Sequence, residues 1–568
     1  MDAQVRTEAE PSLFPGLDAV VTRVAEQAMA WVDTPIRDRL ALLREVRERF
    51  YAVSTTWVDM SVRAKGLTPG TSAAGEEYAL VMATLKLLRQ IHGTLSPLAD
   101  GEQPRLPGAV RRRGDQLIVE VEPERAERAQ LGDARFEVWL KPGVDEQTLR
   151  AEQAQRYRQR RRRGEVCLVL GAGNASVLVP SDVLHALFSE DRVVVLKMNP
   201  VNEYLGPLME EAFAPLIRRG ILGVAYGGVA ESAYLTEHPL VDVWHLTGSS
   251  NTYDAIVWGS GEEGAAHKAN KQRKNARPCS AELGNISPIL VVPGPWTPAQ
   301  LRMQGLHFAS MVGVNGGFNC LTPHLLVQHR QWEQRGALLD EMRDAFRRIP
   351  TRSGYYPGAK ERHAAFVKAY PNQAECFGDD EDGRLPWVLI PGVETDAEER
   401  MAFERECFCG LLAETPIDAP SVPEYLRNAV DFLNERVWGN LVVSLFVHPA
   451  SMRDPAVAAA VEDAIAKLRY GSVCVNTWGA IGYAVSGLPW GAYPGNPAED
   501  IQSGNGFVNN THMLPHVQKS VLRVPFDGRP SVNLLMKNGW ALLQALAERE
   551  YHPTPWNLAK LIFHAMKG

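Results

Sequence analysis

Cys320 and Glu282 are the residues whose types most directly suggest covalent chemistry. Cys320 lies in NGGFNCLTP, where the neighbouring glycines would let backbone N–H groups approach an oxyanion. A cysteine thiolate attacks electrophilic carbon, whereas most unpaired cysteines are buried and inert. Glu282, in SAELGN, ends a strand-like stretch, and a carboxylate near a reactive cysteine could deprotonate water. Either residue alone is more often structural than catalytic, so the pair needs support from the rest of the chain.

Two glycine-containing turns could bind a phosphate. GAGNAS (171–176) follows an apolar, strand-like run. Gly171 and Gly173 fit the first two positions of a G-x-G-x-x-G pattern, but Ser176 stands where the third glycine would be. TGSS (247–250) also joins a strand to a helix, and the free N–H groups at the start of a helix suit a phosphate. Each segment is equally consistent with an ordinary tight turn.

The middle of the chain alternates between short apolar strands and helical segments. This alternation predicts a parallel sheet with helices on both faces, whose strands share one carboxyl edge where ligands bind. Lys197 ends one of these strands and could bond a ribose hydroxyl or a phosphate, although a solvated charge is the commoner case. The strands of this first α/β domain are predicted at 165–170, 192–197, 221–226 and 241–246. A second α/β domain is predicted from strands at 288–292, 324–328, 440–447 and 472–476.

The composition is that of a globular protein with more than one domain. The chain has 568 residues and is therefore too long for one core. Its residues are 45% hydrophobic and 22% charged, a composition that excludes a mostly disordered chain. The net charge of −7 argues against a nucleic-acid partner, and no apolar run reaches the roughly 18 residues that span a bilayer. The acidic N-terminus is unlike a secretory signal, and seven irregularly spaced cysteines do not form a disulfide framework. We therefore expect a cytoplasmic protein.

Seven segments, in this order along the chain, resemble motifs of the aldehyde dehydrogenase superfamily. They are VLGAGNASVLVP, VVVLKMNP, VDVWHLTGSS, SAELGNISPILVV, NGGFNCLTPHLLV, FERECFCGLLAE and HVQKSVLRVPF. The similarity runs from about Trp31 to about Phe526. It implies an α/β, aldehyde dehydrogenase-like fold, with a Rossmann-type cofactor domain, an α/β catalytic domain and a small β oligomerisation element.

The resemblance assigns a role to each motif residue. Cys320 would be the nucleophile, Glu282 the general base and Asn174 the oxyanion donor. The implied cofactor contacts are Lys197 at the adenosine ribose, Gly248 and Ser249 at the phosphates, Glu406 at the nicotinamide ribose, Phe408 beside the ring, and Gly173 in the first turn. The implied reaction is NAD(P)-dependent oxidation of a small-molecule aldehyde to a carboxylic acid, through a thiohemiacetal and a thioester on the cysteine.

The resemblance also implies a discontinuous domain order. The predicted parts are a dinucleotide-binding domain (1–112 and 164–283, with 488–514 returning to it), a catalytic domain (284–487), an oligomerisation element (113–163 and 515–526) and a C-terminal helical extension (527–568). Proteins of this family donate the last strand of the oligomerisation element to a neighbouring subunit, so we expect a homodimer or homotetramer. The basic run 156–163 is expected to be a solvated face or a subunit contact.

Several positions depart from the family pattern. Asn285 stands where a glycine usually follows the Leu-Gly pair, and Phe318 stands where glutamine is common; both could change the shape of the pocket. Pro200 occupies the position at which NAD-preferring members often have a glutamate, so the cofactor is expected to be NAD or NADP. Cys407 and Cys409 form a C-x-C pair without the further ligands of a zinc site, and we expect no metal.

Three functions stay open on the sequence alone. In an aldehyde dehydrogenase, water releases the acid from the enzyme. In an acyl-CoA reductase or CoA-acylating enzyme, coenzyme A exchanges with the same thioester, and a water-activating carboxylate is dispensable; Glu282 therefore favours water. The third function is a non-catalytic scaffold of the same fold. Aromatic residues in the region that lines the entrance favour a bulky or apolar aldehyde, namely Trp478, Tyr483 and Trp490.

Overall fold

Two sheets, one of five strands and one of eleven, organise the molecule. The computed structural model describes residues 12–106, 108–123, 132–159, 163–526 and 532–567. In chain order the strands are β1 (Val110–Arg113), β2 (Gln116–Glu122), β3 (Arg135–Leu140), β4 (Val166–Leu170), β5 (Val193–Lys197), β6 (Leu222–Ala225), β7 (Val243–Thr247), β8 (Cys279–Glu282), β9 (Ile289–Val291), β10 (Leu325–His329), β11 (Arg352–Ser353), β12 (Glu375–Phe377), β13 (Arg384–Leu385), β14 (Trp387–Ile390), β15 (Leu411–Ile417), β16 (Val442–Phe446), β17 (Ser472–Val475), β18 (Pro489–Gly491), β19 (Phe507–Asn509) and β20 (Val517–Arg523).

Helices cover both sheets and build the N- and C-terminal parts of the chain. They are Pro15–Glu26, Ala28–Val32, Ile36–Ala64, Ser72–Ala99, Glu146–Glu152, Gln155–Arg158, Leu178–Leu184, Gly206–Ala212, Ala214–Arg218, Val229–Glu237, Ser250–Val257, Gly261–Ala269, Pro298–Gly313, Arg335–Arg348, Ala359–Ala369, Met401–Glu404, Val422–Arg436, Pro455–Lys467, Gly479–Ala484, Gly539–Tyr551 and Pro555–Lys567. None of the helices in the described ranges is long and apolar enough to cross a membrane.

The five-stranded sheet is parallel and has the order β6-β5-β4-β7-β8. β4 and β5 are completely buried, as expected for strands covered by helices on both faces. The chain proceeds from β4 outward to β5 and β6, then returns to the other side of β4 for β7 and β8. The strand order therefore reverses beside β4, and in open α/β sheets ligands bind at the carboxyl ends of the strands next to such a reversal. This confirms the predicted parallel sheet.

The eleven-stranded sheet has the order β1-β2-β3-β20-β17-β16-β9-β10-β15-β14-β12. The sequence predicted β9, β10, β16 and β17 but missed β15, because LLAETPI contains a charged residue and a proline. β15 is nevertheless entirely buried. The charge of Glu414 is matched by Arg335, whose Nε and Nη2 each donate to one carboxylate oxygen at 2.7 Å. A buried ion pair therefore overrides the composition of this segment.

The last strand pairs within its own chain. β20 lies antiparallel to β3 and parallel to β17, with Ser520 opposite Ser472. β20 thus joins the three-stranded element β1-β2-β3 to the rest of the eleven-stranded sheet. The subunit contact that the resemblance implies for this strand stays a prediction. The pairing satisfies backbone groups along the edge of β17 that would otherwise need another partner.

The predicted C-terminal helical extension contains the helices Gly539–Tyr551 and Pro555–Lys567, and residues 527–531 and 568 lie outside the described part of the chain. The helix Gly539–Tyr551 packs on Ser72–Ala99. A Cβ at Gly75 would lie 2.8 Å from Trp540 Cα, so this close approach requires glycine. Next to this contact, the rings of Tyr78 and Trp540 meet edge to face at 5.0 Å.

The basic run is engaged in surface ion pairs where it is described. Arg156 lies within 4 Å of Glu165 and Glu190, and Arg163 pairs with Asp242 at 2.8 Å. Residues 160–162 lie outside the described ranges. This arrangement agrees with a solvated face.

Candidate active site

A cavity of about 1290 Å³ lies at the carboxyl edge of the five-stranded sheet and reaches loops of the eleven-stranded sheet. Most of the residues singled out in the sequence line it together, namely Asn174, Lys197, Gly248, Ser249, Glu282, Cys320, Glu406 and Phe408. Gly171 and Ala172 also line the cavity, but Gly173 does not. A Cβ at Gly173 would come within 2.5 Å of Asn199 Oδ1, so this glycine allows the first turn to pack against the segment that follows β5.

The loop that carries Cys320 depends on two glycines. After the helix Pro298–Gly313, three successive residues have positive φ, Asn315 at 53°, Gly316 at 67° and Gly317 at 81°. A Cβ at Gly317 would lie 2.4 Å from the carbonyl carbon of Cys409. Glycine is therefore needed both for the backbone conformation and for the close packing that brings the thiol to the cavity wall.

Asn174 is held against the same loop. Its Nδ2 donates to the Phe318 carbonyl at 2.9 Å, and its own carbonyl accepts from Asn315 Nδ2 at 2.9 Å and from the Tyr355 hydroxyl at 3.0 Å. A side-chain amide has two donor hydrogens, so one is left for a ligand. The Asn174 amide and the Cys320 loop are thus joined by a hydrogen bond, and both residues line the cavity.

Asn285 does not alter the pocket, contrary to our expectation. Its side chain is fully buried behind the wall, where Nδ2 donates to Ser287 Oγ at 3.0 Å and to the Val442 carbonyl at 2.9 Å. Ser287 Oγ in turn donates to the Cys320 carbonyl at 2.9 Å. The amide has room because residue 439 is glycine, where a Cβ would lie 2.4 Å from Asn285 Oδ1. Asn285 therefore connects the segment that follows Glu282 to the loop that carries Cys320.

Phe318 is likewise absent from the cavity wall. Its ring is 1% exposed and packs against Tyr355, Tyr356 and Phe408, with centroid distances of 5.0, 6.0 and 6.2 Å. The expectation that this residue reshapes the pocket is thus wrong. Its ring forms part of the apolar support beneath Phe408, which does line the cavity.

Glu282 and Cys320 share an environment that favours their neutral forms. Burial, followed by the charge of Asp182, raises the pKa of Glu282 well above its ordinary value. Burial and the neighbouring carboxylates of Glu406 and Glu282 also raise the pKa of the Cys320 thiol. Glu282 Oε1 is buried and has no hydrogen-bond partner within the described part of the chain. A carboxylate of raised pKa is the stronger base once it is ionised.

The other end of the cavity has the features of a dinucleotide site. Ser249 caps the helix Ser250–Val257, with Oγ accepting from Thr252 N at 3.2 Å, and the first-turn amides of this helix lie at the cavity wall. Lys197 Nζ donates to the Gly227 carbonyl, and burial lowers the pKa of this lysine. These groups fit a pyrophosphate and a ribose, respectively.

Glu406 also lines the cavity. Its Oε1 accepts from Asn285 N at 3.0 Å, and burial raises the pKa of this carboxyl to about 7. A Cβ at residue 284 would lie 2.0 Å from Glu406 Oε2, so Gly284 is what permits this contact. A carboxylate held by one backbone amide keeps acceptor positions for ribose hydroxyls.

Some lining residues carry no motif in the sequence. Tyr356, Arg362 and Trp438 line the cavity from separate segments, and Arg362 Nε is bonded to the Cys407 carbonyl at 3.0 Å. Their positions follow from tertiary packing rather than from a local pattern. Of the aromatic residues proposed for the entrance, Trp490 lines the cavity, whereas Trp478 and Tyr483 do not.

The C-x-C pair is buried, with its sulfur atoms 2.9 Å apart. Among the described residues, no group of three or more His, Cys, Asp or Glu side chains is arranged to hold a metal ion. The pair packs on either side of Phe408, whose φ of 48° is unusual for a residue other than glycine.

Solved aldehyde dehydrogenase structures share this architecture. The Mycobacterium tuberculosis aldehyde dehydrogenase complexed with NAD⁺ is 17% identical, with 90% of each chain covered and a TM-score of 0.60. Aldehyde dehydrogenase C from Pseudomonas syringae, complexed with NAD⁺ and octanal, is 16% identical over 91% of this chain and 90% of that chain, with a TM-score of 0.60. NADP-dependent glyceraldehyde-3-phosphate dehydrogenase from Bacillus halodurans, complexed with NADP, is 16% identical over 92% of this chain and 91% of that chain, with a TM-score of 0.59.

These similarities show that the chain has the aldehyde dehydrogenase fold, as the sequence motifs predicted. No family model matches the chain, and no curated protein sequence matches it. The fold is therefore recognisable from tertiary structure and from short motifs rather than from overall sequence similarity.

The charge of Glu406 should control the reactivity of Cys320. Because a nearby negative charge disfavours the thiolate, Glu406→Gln should lower the pKa of the thiol. At a fixed pH above 7, where Glu406 is mainly ionised, we expect Cys320 to be alkylated by iodoacetamide about three- to tenfold faster in this variant. Peptide mass spectrometry would measure the rate at this cysteine. Glu398→Gln, a change at an exposed carboxylate outside the cavity, is the control. An unchanged or slower rate in Glu406→Gln would contradict the electrostatic interpretation.

Proposed function

We propose that this protein oxidises an aldehyde to a carboxylic acid with NAD or NADP as the hydride acceptor. The observation that carries the proposal is the convergence of Cys320, Asn174 and Glu282 at one end of a cavity whose other end has the features of a dinucleotide site. Convergence of a nucleophile, an oxyanion donor and a base is what acyl chemistry on a cysteine requires. The fold is shared with aldehyde dehydrogenases that were solved with NAD⁺ or NADP.

The first step uses the thiol and the oxyanion donors. Cys320 loses its proton to solvent, and the thiolate forms a bond to the aldehyde carbon while the carbonyl double bond opens to an alkoxide. The alkoxide that results is stabilised by the free hydrogen of the Asn174 amide and by the Cys320 backbone N–H. Removing one such donor typically costs about 3 kcal/mol of barrier.

The second step releases the acid. When bound, the nicotinamide supplies the hydride acceptor that converts the thiohemiacetal into a thioester on Cys320. Glu282 then takes a proton from water, the water oxygen bonds to the acyl carbon, and the carbon–sulfur bond breaks. A buried carboxylate with an unpartnered oxygen suits this role.

Residues of this chain would hold the cofactor by its phosphates and both riboses. The start of the helix Ser250–Val257 suits the pyrophosphate, Lys197 the adenosine ribose and Glu406 the nicotinamide ribose. Pro200 lines the cavity and supplies no carboxylate to repel a 2′-phosphate. NAD and NADP therefore both belong to the proposal.

The reaction can be tested with a panel of aldehydes of graded chain length, octanal included, each with NAD and with NADP. We expect reduction of at least one cofactor without coenzyme A. A strict requirement for coenzyme A would favour the acylating alternative. Failure of every aldehyde to reduce either cofactor would support the non-catalytic scaffold.

Cys320→Ser should abolish turnover because a serine hydroxyl is a far weaker nucleophile than a thiolate. We expect kcat to fall by roughly 10³-fold or more. Dinucleotide binding, measured by fluorescence titration, should be retained. Cys376→Ser changes an exposed cysteine outside the cavity and should keep the activity of the parent. Near-normal activity in Cys320→Ser would refute the assigned nucleophile.

Glu282→Gln should stop the reaction after the thioester forms. We expect a burst of about one reduced cofactor per active site, followed by turnover about 10²- to 10⁴-fold slower than in the parent. Intact-mass spectrometry should detect the acylated protein. Steady turnover without a burst, at a rate near that of the parent, would show that another group activates water.

A further inference from the structure

Tyr355 contacts the oxyanion loop (171–176) from a segment that has no part in the mechanism above. It follows β11, whose Arg352 lies opposite Leu385 on β13, so the chain before this tyrosine is anchored in a two-stranded sheet. The Tyr355 hydroxyl lies 3.0 Å from the Asn174 carbonyl and 3.0 Å from Asn315 Oδ1. Both of these oxygen atoms only accept, so the hydroxyl is the donor in each contact and shares its single proton between them.

Asn315 connects the oxyanion loop to the nucleophile loop (314–320). Its Nδ2 donates to the Asn174 carbonyl at 2.9 Å and to the Phe318 carbonyl at 3.2 Å. The same Phe318 carbonyl accepts from Asn174 Nδ2 at 2.9 Å. The backbone and the side chain of Asn174 are therefore held separately, the carbonyl by Tyr355 and Asn315 and the amide by Phe318.

Both loops are also anchored to the helix Ser72–Ala99 through two consecutive carboxylates. Glu76 Oε2 accepts from Asn315 N on the nucleophile loop at 2.9 Å. Glu77 Oε2 accepts from Ser176 Oγ on the oxyanion loop at 3.2 Å. Ser176, which stands where the third glycine of the G-x-G-x-x-G pattern would be, thus ties its loop to the helix. One helix therefore contributes to the spacing of the two loops, and the Tyr355 hydroxyl adds a bond between them.

The surroundings of Tyr355 keep its hydroxyl in place and protonated. Its ring meets the Phe318 ring edge to face at 5.0 Å, and Lys65 Nζ lies 5.8 Å from the centre of the Tyr355 ring. Burial raises the pKa of Tyr355 to about 12, so the hydroxyl remains a donor at neutral pH. Tyr355 does not line the cavity, so any effect on a bound aldehyde passes through the residues that it holds.

We propose that Tyr355 is a positioning residue for the oxyanion donor: its hydroxyl fixes the backbone of Asn174, so that the free amide hydrogen of Asn174 stays directed at the oxygen of the bound aldehyde. The inference rests on the proposed oxidation and adds to it the group that orients one donor. A donor stabilises developing charge best when its direction is fixed before the reaction. Tyr355 therefore contributes wherever an oxyanion forms on the substrate carbon, and it has no part in cofactor binding.

Tyr355→Phe removes the hydroxyl and keeps the ring. The Asn174 carbonyl still accepts from Asn315 Nδ2, so we expect the variant to fold. Stopped-flow measurement of reduced cofactor, with the full-length protein in excess over an aldehyde that the parent oxidises, reports thioester formation in a single turnover. We expect its rate constant to fall about 5- to 50-fold, a part of the effect of losing one donor outright. Dinucleotide binding, measured by fluorescence titration, should stay at the parental value.

A double-mutant cycle separates positioning from general damage to the site. Asn174→Ala removes the donor that Tyr355 orients, so Tyr355→Phe added to this variant should slow the single turnover by less than about twofold further. The proposal is overturned if Tyr355→Phe lowers the rate constant by the same factor with and without the Asn174 amide. An unchanged rate constant in Tyr355→Phe alone would overturn it as well.

Tyr425→Phe is the matched control, because it removes the same kind of hydrogen bond far from the reaction. Tyr425 is fully buried outside the cavity, and its hydroxyl lies 2.9 and 3.0 Å from the carbonyls of Val291 and Val327. Thermal unfolding should show a similar loss of stability in both variants, whereas only Tyr355→Phe should slow the single turnover. Equal slowing in Tyr425→Phe would overturn the proposal. If the parent itself reduces no cofactor with any aldehyde, the proposed oxidation fails and this inference falls with it.

Discussion

The hydrogen bond from Asn174 Nδ2 to the Phe318 carbonyl joins the two halves of the site. Asn174 follows a strand of the five-stranded sheet, and Phe318 precedes the cysteine on a loop of the catalytic part of the chain. The loop reaches this point only because Gly317 allows backbone to pack against Cys409. Contacts between backbone segments therefore set the distances between the Cys320 thiol, the Asn174 amide and the Glu282 carboxylate. Side-chain motion cannot easily change these backbone contacts.

A second consequence of this packing is the low polarity around the reacting groups. Burial raises the pKa values of Glu282, Glu406 and the Cys320 thiol together, so the site at rest favours neutral groups. Chemistry in such a site depends on proton movement rather than on a permanently ionised nucleophile.

The departures from the family motifs have local explanations. Asn285 adds a side chain where glycine is usual, and Gly439 provides the space for it. The extra amide hydrogen bonds tie Ser287, and through it the Cys320 carbonyl, to the strand core. Phe318 similarly turns away from the cavity and supports Phe408. Neither side chain lines the cavity.

The amino-acid sequence by itself determined the parallel strands, the turns that follow them and the order of the reacting residues, because these depend on local periodicity and on short motifs. Tertiary structure decided the burial of β15, the pairing of β20 within its own chain and the direction of the Asn285 side chain. It also decided that Tyr355 and Asn174, which stand 181 positions apart in the chain, come within hydrogen-bonding distance. The physical reason is that hydrogen-bond partners, charge neighbours and strand edges belong to segments distant in sequence, and only the packed chain brings them into contact.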